Sequence, residues 1–326
     1  MKFICAFFSF LFFLACNTSS KEFGTIERTG PALDNIIAPG AKVEIIADGF
    51  EWTEGPVWIE SKQMLLFSDI PNNAIYKWTE TKGKELYLKP AGYTDTVQRG
   101  GETGSNGLAI NKEGKLILCQ HGNRQIAMME ADINNPEPVF KTIAGTWQSK
   151  KFNSPNDLAL RSNGDIFFTD PPYGLEKNMD DPLKEIPFQG VYKTTADGHV
   201  KLLIDSITRP NGILLVNNEK SLIVANSDGE KPYWYMYDLD ASDSLINPRI
   251  FYDPSAEEGA PDGMKADSKG NIYSTGPGGI WIFDQSAKLL GKIRIPGRVS
   301  NVALTTDEKT LFITADNYLL RVKMRE

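Results

Sequence analysis

The sequence predicts an all-β fold: a six-bladed β-propeller with four-stranded blades, closed by an N-terminal strand. Three observations carry this prediction. A short phrase recurs six times along the chain. Apolar runs of strand length follow the phrases, separated by Gly and Asn turns. The last repeat lacks one strand, and one strand is left over before the first.

The phrase is a polar residue, then usually Gly or Asp, then an apolar pair. Its copies are Glu54-Gly55-Pro56-Val57, Asn106-Gly107-Leu108-Ala109, Asn156-Asp157-Leu158-Ala159, Asn211-Gly212-Ile213-Leu214, Asp262-Gly263-Met264-Lys265 and Asn301-Val302-Ala303-Leu304. Successive copies lie 52, 50, 55, 51 and 39 residues apart. Lys265 interrupts the apolar pair in the fifth copy, and Val302 replaces the Gly or Asp in the sixth. Second strands follow as Leu116-Ile117-Leu118, Ile166-Phe167-Phe168, Leu222-Ile223-Val224, Ile272-Tyr273-Ser274 and Leu311-Phe312-Ile313. Third strands read as Ala74-Ile75-Tyr76, Gly190-Val191-Tyr192, Tyr233-Trp234-Tyr235 and Gly279-Ile280-Trp281, and a fourth carries residues such as Leu202-Leu203-Ile204. Four strands at this period describe a propeller blade. The final repeat stops near Arg321-Val322-Lys323, and Val43-Glu44-Ile45-Ile46 can supply its outer strand. A β-sandwich would give no reason for a polar residue locked to one phase of every repeat.

Ahead of the repeats, Met1-Lys2 and an apolar run from Phe3 to Leu14 read as a signal segment, too short to span a bilayer as a mature helix. It ends in Phe13-Leu14-Ala15-Cys16, which resembles a bacterial lipobox with Cys16 as the lipidated residue. The expected organisation is a signal peptide over 1–15, a lipidated Cys and tether over 16–40, and the propeller over 41–326. The protein is then an exported bacterial lipoprotein, facing periplasm or cell exterior and touching membrane through its lipid anchor alone. Cys5 leaves with the signal and Cys16 takes lipid, so Cys119 has no partner for an intramolecular disulfide. A net charge of −7 excludes a nucleic-acid partner, because duplex binding needs a basic face. The expected partner is a small molecule, bound by a monomer.

Inner strands of a propeller line its central channel, so residues at one phase of every repeat form a ring. Here that ring is Glu54, Asn106, Asn156, Asn211, Asp262 and Asn301. Two carboxylates among amide oxygens make a hard-oxygen site for one divalent cation, Ca²⁺, Mg²⁺ or Mn²⁺. Asn also favours strand entries for its turn chemistry, but Glu54 beside Gly55-Pro56 has no such reason.

Six ordered motifs carry a family resemblance: Glu54-Gly55-Pro56-Val57-Trp58, Ser105-Asn106-Gly107-Leu108, Ser154-Pro155-Asn156-Asp157, Thr169-Asp170-Pro171-Pro172-Tyr173-Gly174, Arg209-Pro210-Asn211-Gly212 and Pro261-Asp262-Gly263-Met264. From about Glu51 onward the chain resembles the senescence marker protein / gluconolactonase / luciferin-regenerating enzyme superfamily, in its bacterial gluconolactonase-like branch. The resemblance implies a six-bladed propeller, hydrolysis of a sugar lactone or ester, and a cation held by Glu54, Asn156, Asn211 and Asp262. It makes Ca²⁺ the expected ion, with Zn²⁺ also admissible, and lays Asn156 against the substrate. One position departs from the pattern. Ser154 stands where some lactonases of the superfamily have an Arg that meets the sugar, and Arg99 and Arg298 are the basic residues considered in its place.

Hydrolysis needs a base for water, and Asp262 at the edge of the cation site is the expected one. Asn106, Asn156, His121 and Tyr173 are the expected substrate-binding residues; His121 follows the second strand of blade two and Tyr173 lies in the Asp-Pro-Pro-Tyr-Gly turn. Residues 175–189 form a polar insertion, either a lid or a surface loop. No Gly-x-Ser-x-Gly elbow, His-Glu-x-x-His, Walker loop or dinucleotide fingerprint is present. The same ring would serve a non-catalytic propeller that grips a sugar acid or a partner around a structural ion. Two carboxylates in the ring argue against a metal-free enzyme of the strictosidine-synthase type.

Overall fold

The computed structural model describes residues 23–325. The signal segment 1–15, Cys5 and the expected lipidation site Cys16 lie outside the described residues.

Six antiparallel sheets radiate from one axis. Blade one consists of Thr53–Ile59, Met64–Asp69, Ala74–Thr79 and Gly83–Leu88, in chain order from the axis outward. Blade two is Ser105–Ile110, Leu116–Gln120, Gln125–Met129 and Phe140–Ala144. Blade three is Leu158–Leu160, Ile166–Asp170, Gly190–Thr194 and Val200–Ile204; blade four is Pro210–Val216, Ser221–Asn226, Trp234–Leu239 and Leu245–Tyr252. Blade five begins with Met264–Ala266, Ile272–Gly276, Gly279–Phe283 and Leu289–Arg294. Blade six takes Val299–Leu304, Thr310–Ala315 and Tyr318–Lys323 from the C-terminal end and Val43–Asp48 as its outermost strand. That closure is the one expected, with Val43 opposite Val322 and Ile45 opposite Leu320.

The alternation expected of a half-buried strand is missing from the second strands. Met64–Asp69, Ser221–Asn226 and Thr310–Ala315 are buried at every residue, because each has a neighbouring blade on both faces. The core is therefore divided into clusters, one at each blade boundary. Leu66, Ile75, Leu108 and Leu118 fill the one–two boundary; Phe67, Trp78, Phe312 and Leu319 fill six–one. Trp234, Trp281 and Phe283 pack between blades four and five, with centroids of Trp234 and Phe283 at 5.4 Å in an edge-on arrangement.

Of the expected tether over 16–40, the described part from residue 23 onward packs against the propeller. Thr25–Arg28 pairs with Leu289–Arg294 as a fifth, outer strand of blade five. A 3₁₀ turn over Pro31–Asn35 follows, and Leu33 and Ile37 are fully buried between blades five and six. Those two side chains explain the packing, since burying each stabilises a fold by about 1.5–3 kcal/mol. The insertion at 175–189 is likewise tacked down, with Leu175 and Ile186 buried and the Glu185 carboxylate accepting from Lys151 N at 2.8 Å.

The loop leading to Asp262 has its own anchor. Glu257 accepts from Arg294 Nη1 at 2.6 Å and is paired with Lys292, whose Nζ lies 3.4 Å from the centre of the Trp281 ring. The Arg294 hydrogen bond, with Lys292 adding to it, pulls the Glu257 carboxyl from 4.5 down to about 2. The folded value lies below the unfolded one, so this pairing stabilises the protein above pH 4.5 and ceases to do so as pH falls towards about 2. Glu257→Gln is expected to lower the melting temperature by about 2–4 °C at pH 7. Thermal melts at stepped pH should show its deficit against wild type shrinking from pH 4.5 downward.

Candidate functional site: an acid and amide cup on the propeller axis

Register shifts place the ring residues. In blade one the ladder slips between Glu54 and Val57, in blade two between Ser105 and Leu108, in blade four between Pro210 and Ile213, and in blade six between Val299 and Asn301. A bulge re-aims side chains and sharpens local twist. Each of these contains or bounds the polar residue of its phrase, which it can turn from the blade interface to the axis. In blades three and five the strand itself starts within the phrase, at Leu158 and Met264, two residues after its polar residue.

The glycines of the phrases admit the crowding that results. A Cβ on Gly212 would lie 2.1 Å from the Asp262 carbonyl oxygen, and one on Gly263 would lie 2.0 Å from Asn301 Cγ. Gly55, at φ +51°, would place one 2.0 Å from the Asn106 carbonyl oxygen. The glycine after the polar residue is thus a close-approach requirement between adjacent blades as well as a turn signal.

Glu54, Asn106, Asn156, Tyr173, Asn211 and Asp262 line a single cavity of about 660 Å³. Another cavity, of about 620 Å³, opens by the turns at 111–114 and 161–164 and contains none of the ring residues. In the axial cup the amides form a one-way chain. Asn106 Nδ2 donates to Asn156 Oδ1 at 2.8 Å, and Asn156 Nδ2 donates to Asn211 Oδ1 at 2.5 Å. Asn211 Nδ2 donates to Ser227 Oγ at 2.9 Å, and Ser227 Oγ donates to the Pro261 carbonyl at 2.6 Å, one residue before Asp262. Asn301 is not among the residues lining the cavity; its Nδ2 lies 3.5 Å from Asp157 Oδ2.

Glu54 is buried, whereas Asp262 keeps an edge open to the cavity. Burial, followed by repulsion from Asp157 and Glu102, raises the Glu54 carboxyl to about 8 despite the hydrogen bond from Gly55 N. Enclosure by protein and then the Glu54 charge push Asp262 well above the usual carboxylate range.

Those repelling carboxylates are what an added cation would relieve. Asn106 Oδ1 is also buried without a hydrogen-bond partner. Asn211 Oδ1 accepts one bond and keeps a second lone pair, whereas Asn156 Oδ1 already faces both Asn106 Nδ2 and His121 Nε2. The donors are all hard oxygens, and they fit a Ca²⁺-like ion better than a thiophilic one. Among the described residues no group of three or more His, Cys, Asp or Glu side chains is placed to hold a metal. The cup combines two carboxylates with amides, so it falls outside that pattern.

His121 takes a different place from the one expected over a substrate. It is fully buried, with Nε2 3.3 Å from Asn156 Oδ1 and Nδ1 3.3 Å from Glu102 Oε2. Tyr173 lines the cup, its hydroxyl pushed up by burial and by Asp262. Ser154 is sealed: its Oγ donates to the Pro171 carbonyl at 2.6 Å and accepts from Gly174 N at 2.9 Å. Beneath that turn Asp170 accepts from Asn153 N and Ser154 N at 2.8 Å each, and burial raises its carboxyl to about 7. Arg99 is bound to the Gly122 and Gly174 carbonyls, while Arg298 lies at the rim with its guanidinium 4.6 Å from the Trp52 ring centre. Sequence reasoning missed Glu102 and the carboxylate of Asp157. Glu102 belongs to no repeat phrase, and Asp157 occupies the position read as a glycine substitute.

Fold and cup together define a six-bladed propeller with an oxygen-rich axial site. Residues 52–317 match the SMP-30/gluconolactonase/LRE-like region, and the chain belongs to that family. It is 36% identical over 322 residues to a gluconolactonase of Zymomonas mobilis, covering 95% of this chain and 88% of that protein. A gluconolactonase structure from Xanthomonas campestris superposes with a TM-score of 0.81 at 26% identity, covering 96% of this chain and 99% of that one. The fold alone is shared with a regucalcin of Agrobacterium tumefaciens, described as a calcium-binding protein, at a TM-score of 0.65 and 15% identity over 86% of this chain and 94% of that one.

Proposed function

We propose that the axial cup hydrolyses a sugar lactone, with Asp262 as general base and a divalent cation, Ca²⁺ first, as cofactor. The observation that carries this reading is the pairing of buried Glu54 with cavity-facing Asp262 in an amide-lined cup. The Zymomonas mobilis and Xanthomonas campestris gluconolactonases support the substrate class.

Glu54, Asp262, Asn156 and Asn211 would hold the ion. When bound it supplies Lewis-acid polarisation of a carbonyl and a lowered pKa for water. Asn156 and Tyr173 orient the lactone ring against that edge of the cavity. Asp262 accepts a proton from water as its oxygen bonds to the carbonyl carbon. The tetrahedral centre then collapses, the bond from carbonyl carbon to ring oxygen breaks, and Asp262 returns the proton to that oxygen. The product is an open-chain hydroxy acid. The proposal retains export as a lipoprotein through Cys16, which mass analysis of the mature N-terminus would test.

Acid release from glucono-1,5-lactone and a panel of related lactones, followed with EDTA and after Ca²⁺ is restored, tests the reading. Turnover that EDTA abolishes and Ca²⁺ returns is expected. If no lactone yields a metal-dependent rate, the cup is a binding site and the hydrolase reading fails.

A further inference from the structure

The charged residues lining the cavity are Glu51, Glu54, Glu102, Glu258, Asp262 and Arg298. Arg298 is 81% exposed in its side chain and lies beside Asp316 at the rim. The position that could have carried a second arginine is Ser154, closed beneath the Asp170–Gly174 turn. A dication balances Glu54 and Asp262 and leaves the rest of the wall negative.

Glu102 differs from the other carboxylates. Its loop is braced at Gly101, φ +84°, where a Cβ would lie 2.7 Å from the Gly174 carbonyl oxygen. From behind, the buried His121 ring brings Nδ1 to 3.3 Å from Glu102 Oε2, and that nitrogen has no hydrogen-bond partner. The Glu102 side chain is 39% exposed and lines the cavity. Nearby in the same wall, Asn106 is 3% exposed and its Oδ1 is unpartnered. A carboxylate and an unpaired amide oxygen are both acceptors, so this wall calls for a ligand that donates hydrogen bonds. Hydroxyl groups do so; a phosphate or a second carboxylate would add acceptors and like charge.

We propose that Glu102, beside buried His121, is a substrate-binding carboxylate that accepts hydrogen bonds from the lactone's hydroxyls and makes the cup select neutral polyhydroxy lactones over anionic ones. This deepens the lactonase reading and rests on it. The closing experiment measures kcat and KM for glucono-1,5-lactone and its 6-phosphate, in wild type, Glu102→Gln and Glu102→Asp. In parallel, calorimetry measures binding of the uncharged, non-hydrolysable glucono-1,5-lactam. Wild type is expected to prefer the neutral lactone by about a hundredfold in kcat/KM. Glu102→Gln should raise KM for the neutral lactone and Kd for the lactam by about tenfold and narrow the preference, with an unchanged melting temperature. Glu102→Asp, which keeps the charge, should restore the preference. Equal use of both lactones by wild type, or unchanged lactam affinity in Glu102→Gln, overturns the proposal. Absence of turnover by wild type on every lactone overturns the hydrolase reading instead, and the lactam arm still decides the role of Glu102.

Discussion

Replacing Asp262 by Asn is expected to lower kcat by roughly 10² to 10⁴-fold, the range of a lost general base. The change keeps the shape of the side chain and one oxygen for a cation, and it removes the proton acceptor. Glu54 lines the cup but is almost wholly buried, while Asp262 has the open edge, so Glu54 is not placed to take over. Burial and then the Glu54 charge disfavour the Asp262 carboxylate, so removing its charge removes a repulsion and the folded protein should be no less stable for it. Two measurements check this together: calcium binding by calorimetry, which should persist, and initial rates of acid release, which should collapse. If Asp262→Asn turns over at the wild-type rate, another group is the base.

The second large effect is on stability. Gly212→Ala is expected to destabilise the propeller by about 3 kcal/mol or more, at the upper end of overpacking effects. The added methyl would sit 2.1 Å from the Asp262 carbonyl oxygen, and its neighbours there are backbone, not the flexible end of a side chain. Relief requires blades four and five to move apart at the axis. Urea unfolding should show the lower midpoint. Displacement of Asp262 should also lower activity at urea concentrations where the variant is still folded. A midpoint equal to wild type would show that the axis tolerates expansion.

Much of this architecture is legible in the sequence because the repeat locks polar residues in phase. Every ring residue from Glu54 to Asn301 was visible as a phrase, and the closing strand at Val43 followed from counting strands. The direction of the amide chain was not legible, because it depends on how neighbouring blades orient Asn106, Asn156 and Asn211 in three dimensions. Glu102 was hidden for a different reason. It comes from an inter-blade loop with no periodic signal, and only folding brings it to His121. The burial of Leu33 and Ile37 was obscured by polar and Gly/Pro residues around them, which read locally as linker.

The seam between Val43–Asp48 and Tyr318–Lys323 also sets an order of events during synthesis. The strand that emerges early from the ribosome finds its partner only when the last blade has been made. Until then blade six has no outer edge and the ring stays open, even if the middle blades have already paired. Domains that depend on contacts between distant parts of the chain fold late and expose unpaired edges meanwhile. A chain stalled before Tyr318 would leave Val43–Asp48 and Thr310–Ala315 each exposing the edge that Tyr318–Lys323 covers in the finished protein. Such stalled chains are suited to pairing with one another, so a C-terminal truncation should yield aggregates and not a smaller propeller.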